Sequence, residues 1–226
     1  MNADIDRSAE HQKGQGAEQE AQEHAPSTGD KASPENILAL AKKVIINPIG
    51  FYQEMPKSGG LTDPLVFMVV LSVVAGVISA MLSLIGLGAS AAMAGGLAAI
   101  ILIPIFVVIF GFIGAAIAHV IWKLMGSQED FETAFRCVAY TAAVTPITAV
   151  LNIIPYIGSF ASALWPMALL ALASIHVHRR SPQASWAVFG AIGIILVFIS
   201  VGGEHAGRQL ASDMDDWREI LEQQNP

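Results

Sequence analysis

Charge is what this sequence has least of. Charged residues make up only 14% of the 226-residue chain, about half the usual share for a globular domain. From Pro64 to Trp122 there is no Asp, Glu, Lys or Arg at all. A water-soluble domain must present polar groups to its solvent, so an uncharged block of that length excludes a soluble fold for this part of the chain. Cysteine is nearly absent too. A single Cys137 excludes an internal disulfide and a thiolate metal cluster, and its place in an apolar run beside Arg136 reads as a small buried side chain. The first 30 residues lack a basic segment feeding an apolar one. They read as a disordered polar leader, taken here as residues 1–32, and not as a cleavable signal peptide.

Catalytic signatures are missing as well. The sequence contains no GxSxG, no HExxH, no phosphate-binding glycine loop and no acidic metal cluster. The apolar block has no buried Asp/Glu pair of the kind that couples pumps to protons or cations. An enzyme, a cofactor and a metal are therefore not expected. The net charge of -7 would discourage nucleic acid if it were spread evenly, but it sits mainly in the two tails; no nucleic-acid partner is expected.

What is present is hydrocarbon, 54% of the residues being apolar. A helix needs about 20 apolar residues to cross a bilayer, because each residue rises roughly 1.5 Å and the backbone must satisfy itself. Five windows qualify: Pro64 to Ile85, Leu97 to Trp122, Thr133 to Leu151, Tyr156 to Ile175 and Ala184 to Val201. Asp63 is placed to cap the first, with Pro64 at its first position. Pro104, Pro146 and Pro166 predict bends in spans two, three and four. Gly86 to Gly96 forms an uncharged linker, open to being a loose helical continuation. The short connections imply antiparallel neighbours in one bundle. The fold class is all-α, a polytopic bundle of five transmembrane helices.

Basic residues near span ends favour the cytoplasmic side. Lys42, Lys43 and Lys57 precede span one, Lys123 and Arg136 flank the second connection, and Arg179 and Arg180 lie between spans four and five. Five crossings put all three regions on one side, giving a cytoplasmic N-terminus and an extracytoplasmic C-terminus. HVHRR, His176 to Arg180, then reads first as a topogenic anchor. Lys42, Lys43, Arg179 and Arg180 are candidate headgroup contacts, each worth about 1 kcal/mol near an anionic surface. His176 and His178 lack the i, i+4 spacing of a helical zinc pair. Ser181 and Pro182 match the cap and first position of a helix.

His119, Arg136, Tyr140 and Thr141 are the candidates for a polar cavity or for packing contacts near spans two and three. Intramembrane ionisable groups often line a path, whereas snorkelling explains those near span ends. Glu132 precedes Arg136 by four residues, the order that favours a helical ion pair. Thr133, Tyr140, Thr141 and Thr148 fall broadly on one face, which either bonds to neighbouring helices or wets a cavity. Two amphipathic pieces frame the bundle. In the segment 33–62, Ser33 can cap and Pro34 can begin a helix whose Ile37, Leu40, Ala41 and Val44 share a side. It is suited to lie in the headgroup plane or to dock on the loops. In the acidic tail 204–226, Ser212 and Asp215 form a candidate capping box before a short helix bearing Met214, Trp217 and Leu221.

From Asn47 to Val201 the pattern resembles the Yip1 domain family. The resemblance rests on NPIGFYQEM at Asn47 to Met55, FETAFRCVAY at Phe131 to Tyr140, Pro146, IPYIG at Ile154 to Gly158, Trp165, and the HRRSPQA segment before the last span. It implies a five-span domain, here 63–203, with a cytoplasmic N-terminus. Eukaryotic members are associated with Golgi and endoplasmic reticulum trafficking and with prenylated Rab GTPases. This chain lacks their DLYGP motif, so the resemblance points to a bacterial-type member in the inner (plasma) membrane. Two functions are carried forward. One is a non-enzymatic membrane protein that organises protein partners or lipids, including a homo-oligomer or other membrane proteins. The other is a small-solute or lipid transporter or channel using a polar cavity near spans two and three.

Overall fold

The computed structural model describes residues 34–85 and 93–224, all within helices or short connections. The polar leader, Ser33 and the first part of the Gly86–Gly96 linker lie outside the described residues. Among the described residues eight α-helices follow one another: α1 (Pro34–Ile46), α2 (Pro48–Glu54), α3 (Thr62–Leu84), α4 (Met93–Leu124), α5 (Phe131–Tyr140), α6 (Thr145–Leu151), α7 (Ile157–His176) and α8 (Pro182–Gln224). A 3₁₀ turn, Thr141–Val144, joins α5 to α6. Five stretches among the described residues are long and apolar enough to cross a membrane: α3, α4 from Ile100, α5 to α6, α7, and α8 from Pro182 to Met214.

The second and fifth helices outrun their predicted windows. α4 is already helical at Met93 and ends at Leu124. α8 runs for 43 residues without interruption, roughly 65 Å at 1.5 Å per residue. The separate tail helix expected after Ser212 is therefore corrected. Ser212 is inside α8, and its hydroxyl donates to the Gln209 carbonyl at 2.8 Å instead of capping. Asp63 is likewise no cap. α3 starts two residues earlier, at Thr62, with Leu61 at the N-cap and no side-chain bond there. α4 and α7 run on through Pro104 and Pro166. Pro146 instead marks a true break, since it opens α6 after the 3₁₀ turn; proline's missing N–H is harmless in a first turn.

α3 packs on α4, α5 and α6, while α7 packs on α8, α2 and α6. In lipid the hydrophobic effect does little to bring helices together, so close packing must do the work. Gly111 lets α4 approach Met68 of α3; a Cβ at Gly111 would come within 2.8 Å of the Met68 sulfur. Phe51, Phe67 and Tyr140 meet edge to face with ring centroids 5.0 and 5.1 Å apart. They anchor a buried cluster that also takes in Trp122 and Phe189.

The amphipathic leader helix docks onto this cluster. Ile37, Ala41 and Val44 of α1 are buried in it, with Leu40 packed alongside. Asn47 then starts a new helix: its side-chain oxygen accepts from Gly50 N–H at 3.1 Å, and Pro48 takes the first position. α2 was not foreseen, although Asn-Pro before Phe51 and Tyr52 is a helix-start signal of the same kind as Ser181–Pro182.

Candidate functional site

At the end of the bundle that carries α1, three connections meet: Met55–Leu61, Met125–Asp130 and Val177–Ser181. Asp130 organises the middle one. Its extended backbone caps α5, and its carboxylate accepts from the Thr133 N–H and hydroxyl, each at 2.9 Å. Those bonds hold the Asp130 carboxyl below the usual carboxylate range. The Thr133 hydroxyl also reaches the Lys57 carbonyl at 3.0 Å. The Lys57 ammonium donates to Glu129 at 2.6 Å and to the Val177 carbonyl at 3.3 Å, so one lysine ties all three connections together.

Arg136 and Glu132 form the helical pair that their spacing implied, at 3.2 Å. They also clamp a single peptide residue outside α5. Gly60 N–H donates to Glu132 at 2.7 Å, and Arg136 Nη2 donates to the Gly60 carbonyl at 2.6 Å. Gly59 and Gly60 reach this clamp with φ of 122° and 86°, a region that side chains disfavour. A Cβ on Gly59 would sit 3.1 Å from Arg136 Nη2.

His178 lies behind this layer, buried, with its ring stacked on the Trp122 indole at 3.8 Å and 18°. Its Nδ1 shares a 2.8 Å hydrogen bond with the Ser127 hydroxyl, which also accepts from Glu129 N–H at 3.2 Å. Its Nε2 faces the buried Cys137 sulfur at 3.9 Å. Burial, reinforced by the Lys57 charge, pushes the His178 imidazole down to about 3, so the ring is neutral at ordinary pH. Tyr52, whose hydroxyl donates to the Cys137 carbonyl at 3.4 Å, is held above the ordinary phenol value by its burial. No group of three or more His, Cys, Asp or Glu side chains is disposed to hold a metal among the described residues.

Of the four cavity candidates, Arg136 and Tyr140 adjoin, and each of the four has its own packing or hydrogen-bond contacts. Arg136 is bound in the clamp, and Tyr140 packs against Phe51 and Phe67 in the buried cluster. Thr141 returns its hydroxyl to Val138 of its own helix at 2.7 Å, and His119 rests half-buried against the Phe131 ring. The headgroup candidates divide in two. Lys43 pairs with Glu54 at 2.5 Å, and Arg180 donates to the Met125 carbonyl at 3.0 Å and the His178 carbonyl at 2.8 Å. Lys42 and Arg179 are exposed.

The far end holds a second clamp that sequence reasoning missed. Glu204 of α8 accepts from Tyr156 N–H at 3.0 Å and from the Ser159 hydroxyl, and it pairs with Arg208. Tyr156 has a φ of 66°, a strained geometry for a non-glycine residue, and the carboxylate stabilises it by capping α7 from outside. No local signal joins residues 48 positions apart, so only the fold reveals this contact.

This is the architecture of a multi-pass α-helical membrane protein with polar clamps at both ends. The Yip1 domain model matches residues 42–203, most of the chain. The chain belongs to the Yip1 domain family, a family of non-catalytic membrane domains. No curated protein and no solved structure shows a significant match to it.

Proposed function

We propose that this protein organises protein partners or lipids in the membrane through the face built at its α1 end. The observation that carries this reading is the fate of the polar side chains. Arg136, Lys57, Arg180 and Thr133 are consumed in bonds that lock three connections together. Lys42, Lys123 and Arg179 are left exposed on the resulting surface. A rigid basic-edged face suits recognition, because the ordering cost has been met before anything binds. The basic connections favour the cytoplasm for this end, and the absence of a DLYGP motif favours the bacterial inner membrane as the location. At the far end, Leu210, Met214 and Trp217 are exposed on α8 at spacings of four and three, the stripe that pairs helices in coiled coils. A second copy of this chain is the occupant proposed for it.

Crosslinking in native membranes followed by affinity capture tests this role. The expected result is a reproducible homo-oligomer or a defined membrane partner. Recovery of monomer alone, with no enriched protein or lipid, overturns it.

The transporter reading draws on one specific feature, the interruption of the third span at Thr141–Val144, since broken helices surround many transporter sites. Against it, Thr141, Thr145 and Thr148 each donate to a carbonyl three residues back. Flux of a solute or lipid through reconstituted protein, altered by Arg136 or Tyr140 substitution, would establish transport instead.

A further inference from the structure

Between α7 and α8 lies an apolar cavity of about 170 Å³, lined by Leu164, Met167, Ala168, Trp186, Gly190 and Gly193 among others. It exists because of glycine. A Cβ on Gly190 would meet nothing within 4 Å, whereas Gly193 brings α8 close to Leu164 and Met167. Leu164 and Trp186 are 42% and 47% exposed, so the cavity opens sideways, out of the bundle. With so little polar lining, water has no partners there, and in a bilayer the adjoining medium is hydrocarbon.

Its depth suits one leaflet. Trp186 and Gly193 lie four and eleven residues beyond Pro182 in α8, roughly 6 and 16 Å along the axis. One leaflet contributes about 15 Å of hydrocarbon. The connection that joins the two groove helices carries Arg179, exposed, held at a φ of 54°, and bonded to no side chain among the described residues. Lys123 is exposed at the same end; its neighbour Trp122 touches the groove residue Phe189, with centroids 5.5 Å apart. Neither α7 nor α8 carries a carboxylate before Glu204, so no acidic residue on the two groove helices opposes an anion at this mouth.

We propose that the α7–α8 groove holds one acyl chain of an anionic phospholipid whose phosphate rests on Arg179. The proposal rests on the lipid arm of the organising role. Its test reads lipid retention alone, so partner capture can succeed or fail separately.

Native mass spectrometry of the full chain, released from detergent, separates the sources of binding. The probes are phosphatidylglycerol, phosphatidylcholine and inorganic phosphate. One phosphatidylglycerol is expected to be retained about fivefold over phosphatidylcholine, as one surface cation predicts, with phosphate not retained. Arg179→Gly relaxes the strained backbone while removing the charge, and should erase the preference. Gly190→Leu fills the groove and should abolish retention of both lipids. Unchanged preference in Arg179→Gly, unchanged retention in Gly190→Leu, or competition by phosphate alone overturns the proposal. Should Gly190→Leu fail to fold, the Arg179→Gly comparison decides the matter by itself.

Discussion

The Arg136 guanidinium donates to the Gly60 carbonyl while the Gly60 N–H donates to Glu132, so one peptide residue is held at both its polar atoms by an ion pair on α5. The pair is more than a surface salt bridge, because Arg136 is 3% exposed and its guanidinium holds both Glu132 and the Gly60 carbonyl. Arg136→Ala should lower stability by about 2 kcal/mol and Arg136→Lys by about 1 kcal/mol, since lysine lacks the fork that reaches both partners. Thermal unfolding midpoints in detergent, wild type against both variants, check the order.

His178 makes the same end acid-sensitive. Above pH 6.5 the ring is neutral whether folded or unfolded. Below that value the unfolded chain takes up a proton that the buried ring, held down to about 3, refuses. Stability should therefore fall by about 1.4 kcal/mol per pH unit and level off near pH 3. Asp130, held below its ordinary value, adds a loss of the same sign at the acid end of that range. His178→Phe keeps a ring on Trp122 but cannot titrate, so its unfolding midpoint should be flat from pH 6.5 to 4.5.

How much of this was legible beforehand depended on whether the signal was local. The spans were readable because hydropathy acts over a single helix. Ser181–Pro182 was readable too, with the Ala184 N–H donating to the Ser181 side chain at 3.3 Å, as was the Glu132–Arg136 pair. His178 was not: its stack on Trp122 and its bond to Ser127 reach partners more than 50 residues away, and HVHRR alone suggested only a topogenic anchor and headgroup contacts. The bond from Arg180 to the Met125 carbonyl in another connection was hidden for the same reason. The tail helix was set apart because Ser212 and Asp215 look like a capping box. In the fold Glu204 is a clamp, and the helix passes through it.

Two glycines should respond differently to a single methyl. At Gly111 the added Cβ meets the far end of Met68, a flexible side chain that can move aside. At Gly158 it meets the Asn152 side-chain oxygen and, at 2.5 and 2.7 Å, the Asn152 backbone, which cannot. Gly111→Ala should cost under about 1 kcal/mol and Gly158→Ala about 3 kcal/mol. Parallel unfolding curves measure the gap, and equal costs would show that the α6–α7 turn is softer than its contacts imply.

The proposed topology has α8 cross the membrane once, which puts Arg179 and the end of α8 on opposite sides. In a Cys137→Ser chain, Arg179→Cys and Gln223→Cys should each react with an impermeant maleimide from one face only, and from different faces. Labelling of intact cells against inverted vesicles reads this directly.

α8 has a mechanical consequence. About 20 of its residues suffice to cross the hydrocarbon, so the rest project roughly 30 Å beyond it as one continuous rod. Glu204 fastens that rod to the turn before α7. Force applied at Trp217 acts through a lever arm of about 20 Å with its pivot at Glu204, and the torque falls on the same two helices that frame the groove.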